Sequence, residues 1–104
     1  MGIMSTAGTY DAPGVHIEFG GATPVQGTGT LDGLWIYYRS RGEGWSLDVY
    51  DCEIGEDLPD EGHLVWDCYE RSHEWPGAGY VAAEESCANI AKAVAMFREW
   101  RAAR

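Results

Sequence analysis

Two runs of aromatic and β-branched residues, Leu34–Arg39 and Trp45–Asp51, flank Arg41-Gly42-Glu43-Gly44 and predict a β-hairpin. A four-residue loop sets Ser40 opposite Trp45, and so Tyr38 opposite Leu47 and Ile36 opposite Val49. Side chains alternate along a strand, so one face receives Leu34, Ile36, Tyr38, Leu47 and Val49. The other receives Trp35, Tyr37, Arg39, Ser46, Asp48 and Tyr50. Upstream, Val15-His16-Ile17-Glu18-Phe19 alternates strictly and reads as a half-buried strand with Val15, Ile17 and Phe19 inward. Met1 to Pro13 shows no period and reads as a loose N-terminal segment. Ala22 to Leu31 is a weak strand that Pro24 would confine to a sheet edge. Asp32-Gly33 is a turn signal leading into the hairpin.

Beyond Asp51 the pattern breaks into a charged, turn-rich loop, Glu53 to Gly62. His63 to Arg71 is a further strand, with Leu64, Trp66 and Cys68 inward because the opposite parity would bury Asp67. Ser72 to Gly79 reads as a loop. Ala82 to Ala102 is the clearest helix: Cys87, Ile90, Ala93, Val94 and Phe97 share one stripe, with Trp100 beside it. Glu84 and Glu85 at its start and Arg98, Arg101 and Arg104 at its end complement the helix dipole. The expected fold is α+β: one domain over residues 1–104, with an antiparallel sheet of three to five strands and one C-terminal helix packed on one face.

Charge changes the picture more than length does. The net charge of −10 is concentrated between Glu43 and Glu74, where eleven carboxylates meet one base, Arg71. Such a surface repels phosphates, so direct nucleic-acid binding is not expected, whereas a basic protein partner would be attracted. The three cysteines, Cys52, Cys68 and Cys87, are an odd number without a disulfide-framework spacing. With no apolar stretch long enough for a membrane and no signal-peptide pattern, a reduced, cytoplasmic protein is expected.

Catalytic and metal signatures are weak. Asp51-Cys52-Glu53-Ile54-Gly55-Glu56-Asp57, continuing to Asp60-Glu61, does not follow the calcium-loop pattern, because Gly55 stands where the third ligand belongs and no acidic residue closes the loop at position twelve. His63, Cys68 and His73 are not spaced as compact zinc ligands, and no cofactor is implied. Cys87 lies on the helix stripe as a core residue, and Gly27-Thr28-Gly29 is too short for a phosphate loop. No enzyme activity is expected from these residues.

What stands out is an aromatic face beside carboxylates. Trp35, Tyr37, Tyr50 and Tyr69 are candidate anchors for a protein partner, since aromatic residues dominate binding hot spots. Val65 shares their side on the same parity. Asp48, Asp51, Glu53, Glu56, Asp57, Asp60 and Glu61 are the candidate steering carboxylates. In shortness, acidity and lack of catalytic motifs the chain resembles inhibitor proteins of phages and mobile elements, such as anti-CRISPR and toxin-immunity proteins. That resemblance implies a stoichiometric binder of a basic or nucleic-acid-binding protein. A small-ligand or metal-binding domain, conceivably enzymatic, is the alternative, and a homodimer through the aromatic face is a third.

Overall fold

The computed structural model describes residues 7–21, 24–41, 44–52, 63–71 and 83–104. Six strands precede one helix: β1 (Gly8–Ala12), β2 (Val15–Gly20), β3 (Val25–Leu31), β4 (Leu34–Arg41), β5 (Gly44–Tyr50), β6 (Leu64–Arg71) and α1 (Ala83–Ala102). The strands form one antiparallel meander in sequence order. The class is therefore α+β as expected, but the sheet has six strands rather than three to five.

The central hairpin has the expected register, but its strands run further than expected, pairing Arg41 with Gly44 inside the expected four-residue loop. Ser40 stands opposite Trp45, Tyr38 opposite Leu47 and Ile36 opposite Val49. The helix also follows its pattern, with Ile90, Ala93, Val94 and Phe97 buried. Ser86 is buried in the first turns, while Cys87 is half-buried against the core edge.

One strand was hidden in the sequence, and another is not at the edge expected of it. Gly8–Ala12, read as part of a loose end, pairs with β2 and turns Tyr10 and Ala12 towards the core. Residues 1–6 lie outside the described part. β3 is an interior strand, because Pro24 sits just before it and removes no ladder hydrogen bond. Its middle inward positions are Gly27 and Gly29, which face Phe19 and Ile17. A Cβ at either would lie 2.0–2.1 Å from a β2 carbonyl oxygen. The absent side chains let the two backbones close up, and they also erase the apolar alternation that marks a strand.

In β6 the expected parity fails at two residues, Leu64 and Val65. A register irregularity at Val49/Tyr50 sets Val49 opposite Trp66 but Tyr50 opposite Leu64. Val65 consequently packs against the core, whereas Leu64 is 39% exposed. Trp66 and Cys68 keep their inward placement.

The helix packs on one side of the sheet and touches both outer strands. Cys87 reaches the Thr9 carbonyl of β1, and Phe97 meets the Trp66 ring of β6 edge-on at 5.5 Å. Between them, the Tyr38 hydroxyl of β4 donates to Ser86 Oγ at 3.1 Å and accepts from Asn89 Nδ2 at 3.1 Å. This short polar chain is satisfied inside an otherwise apolar core of Ile17, Leu31, Ile36, Leu47, Val49, Ile90 and Phe97. No helix among the described residues is long and apolar enough to cross a membrane.

Candidate functional site

Because α1 occupies one side of the sheet, the other side carries the chemistry, and the ladder arranges it in rows. One row runs Glu18, Thr28, Tyr37, Asp48, Asp67 from β2 to β6. Another, towards the β3–β4 turn, runs His16, Thr30, Trp35, Tyr50, Leu64. Towards the β4–β5 turn lie Gln26, Arg39, Ser46, Tyr69, and beyond them Arg41, Gly44, Arg71.

Trp35 does not serve as the exposed anchor expected of it. It is only 2% exposed, its ring meeting that of Tyr50 edge-on at 5.6 Å. Its indole nitrogen is buried, and among the described residues it has no hydrogen-bond partner. A residue with so little free surface acts in the fold, and an orphaned donor of this kind costs about 1–3 kcal/mol. Tyr37 and Tyr50 are half-buried, each with its hydroxyl engaged: Tyr37 donates to Gln26 Oε1 at 2.8 Å and Tyr50 to Asp48 Oδ2 at 3.2 Å. Of the four aromatic anchors, Tyr69 alone is open, at 63% exposure.

Asp48 and Asp67 face each other directly across β5 and β6. Burial raises the Asp48 carboxyl above its ordinary value; the Tyr50 hydroxyl pulls it back and the Asp67 charge pushes it further up. Like charges placed opposite across a ladder oppose folding. Among the described residues no lysine or arginine is paired with either carboxylate. Asp51 is exposed at the end of β5, its amide donating to the His63 carbonyl at 2.8 Å. Glu53, Glu56, Asp57, Asp60 and Glu61, with His73, lie outside the described residues.

The cysteines are free thiols, and burial pushes those of Cys68 and Cys87 up, away from thiolate chemistry. Among the described residues no three His, Cys, Asp or Glu side chains are placed to hold a metal ion.

The residues that sequence reasoning passed over are the arginines. Counted along the chain, Arg71 is one base among many acids; in the sheet it shares a row with Arg41, and the adjoining row holds Arg39 and Tyr69. Spacing by two along β4 was enough to place Arg39 and Arg41 on one face. Only the β5–β6 register could add Arg71. Comparison with family models, curated proteins and solved structures finds no match for the chain.

Proposed function

We propose that the chain is a small protein-binding module that takes a cationic side chain of a basic partner on the outer face of its sheet. The Asp48–Asp67 juxtaposition carries this reading. Two carboxylates held opposite each other, one of them half-buried, lower the stability of the free protein and gain it back when a guanidinium or ammonium group sits between them. The rings of Tyr37 and Tyr50 stand beside Asp48 and supply apolar and cation–π contact. Asp51 and Glu18, both exposed, extend the acidic surface and favour rapid encounter with a positive partner. This is a stoichiometric binding role of the inhibitor kind that the chain's size and acidity suggest, with no catalytic step assigned.

The test compares the native chain with Asp48→Asn/Asp67→Asn as bait in a lysate of the source cells, washed at increasing salt. A basic protein held by the native chain at low salt and lost from the double variant supports the reading. Equal retention by both baits removes the carboxylate pair from it.

A further inference from the structure

We infer that Arg39, Arg41 and Arg71, which share two adjoining rows of the outer face with Tyr69, form a second binding spot that takes a compact carboxylate-bearing segment of a protein partner. The chain has seven lysines and arginines, and four of them are engaged with its own groups. Lys92 pairs with Glu70 at 2.7 Å and Arg98 with Asp32 at 2.8 Å. Arg101 lies over the Phe97 ring and Arg104 over that of Trp100. Arg39, Arg41 and Arg71 are all exposed, and among the described residues none of the three has a carboxylate or ring partner. In a chain with 17 acidic residues, three arginines unpaired among the described residues on one side of one sheet run against the overall charge.

The backbone prepares the spot. Arg41 and Arg71 stand on either side of Gly44 in one row, roughly 10 Å apart across two strand spacings. Gly44 is buried, and a Cβ there would lie 2.6 Å from the Tyr69 hydroxyl and 2.8 Å from its ring. The tyrosine therefore lies down on the glycine with its other face open to solvent. Arg39 stands in the next row, across Ser46 from Tyr69. Guanidinium forks match carboxylate geometry, and the phenol adds a donor beside them.

A carboxylate segment fits better than a nucleic-acid strand. The adjoining row holds Asp48, Asp67 and Glu18, so a continuous run of phosphates crossing the spot would pass directly over carboxylates. A compact acidic group meets only the arginines. The inference stands on its own observations, separate from the carboxylate pair. Together the two spots describe a partner surface with a basic group and an acidic group one to two rows apart, which fixes its orientation on the sheet.

The test is a nuclear magnetic resonance titration of the isotope-labelled full chain with a capped hexaglutamate peptide. Saturable shifts at Gly44, Ser46, Tyr69 and Arg71, weakened at least tenfold in Arg41→Glu/Arg71→Glu and retained in Asp48→Asn/Asp67→Asn, are expected. A milder Arg39→Gln/Arg41→Gln/Arg71→Gln variant, whose spectrum reports its folding, should show the same loss. Absence of saturable shifts at millimolar peptide, or shifts unchanged in both arginine variants, overturns the inference. So does a ten-residue deoxythymidine strand that binds the same residues tenfold more tightly than the peptide.

Discussion

Arg98 holds Asp32 side-on, Nε to Oδ2 at 3.0 Å and Nη2 to Oδ1 at 2.8 Å, while Nη2 also donates to the Pro13 carbonyl at 2.8 Å. Asp32 sits in the β3–β4 turn with φ at 50°, and its amide donates to the Gly14 carbonyl of the β1–β2 turn. One guanidinium on α1 thus ties two hairpin turns to the helix.

The Arg98 hydrogen bonds lower the Asp32 carboxyl below its ordinary 3.8. A depressed carboxyl adds stability above the unfolded value, and that stability is lost as the pH falls through the folded one. Both side chains are partly exposed, 31% for Asp32 and 41% for Arg98, so the pair is worth about 1 kcal/mol. Asp32→Asn keeps a residue tolerant of positive φ and isolates the charge. Urea unfolding should show that loss at pH 7 and little difference at pH 2.5; an equal loss at both would deny the ion pair its role.

Asp48 has the opposite sign. Its carboxyl is raised, so the folded chain holds that proton more tightly than the unfolded one. The preference favours folding at low pH and fades as the pH climbs from 3.8 through the folded value. Asp48→Asn removes both the burial cost and the repulsion from Asp67, and should stabilise the fold at pH 7 by about 0.5 kcal/mol. A destabilised variant in thermal unfolding at that pH would mean that the Tyr50 hydrogen bond outweighs both.

Trp35→Ala should cost about 3–5 kcal/mol in chemical denaturation, the range for deleting a buried aromatic side chain. Trp35→Phe gives up ring area but also removes the orphaned indole N–H, so a smaller loss, about 1 kcal/mol, is expected. A loss under 1 kcal/mol for the alanine variant would show the residue to be a surface anchor after all.

Tyr38→Phe leaves Ser86 Oγ buried without its donor and Asn89 without its acceptor, at about 1–2 kcal/mol. Combining it with Ser86→Ala should cost less than the two single changes added together, because the second change removes the stranded hydroxyl. Strict additivity in denaturation would argue that the two groups do not act together.

How far the sequence could be read follows from where side chains report on the backbone. The β4–β5 register was legible because loop length and apolar alternation agree from Leu34 to Tyr50. The helix was legible because Ile90, Ala93, Val94 and Phe97 repeat at helical spacing. β3 was obscured because Gly27 and Gly29 occupy its inward middle positions, and β1 because Gly8, Tyr10 and Ala12 make a faint apolar face. The Leu64 inversion could not be foreseen, since an irregularity in strand pairing leaves no mark on composition. On the outer face, alternation placed Tyr37, Asp48 and Tyr50 together. It could not tell that Trp35 on the same side would be buried, nor that Arg71 would land beside Arg41.

The helix that bridges both outer strands also sets the order of events during synthesis. Each hairpin of the meander can pair as soon as its second strand leaves the ribosome, since neighbours in space are neighbours in the chain. Their greasy side nevertheless stays wet until residues 83–102 emerge to cover it. A stop codon or cleavage ahead of Phe97 would therefore yield a nascent sheet with nothing to shield it, a species for chaperones and proteases rather than a shorter working protein.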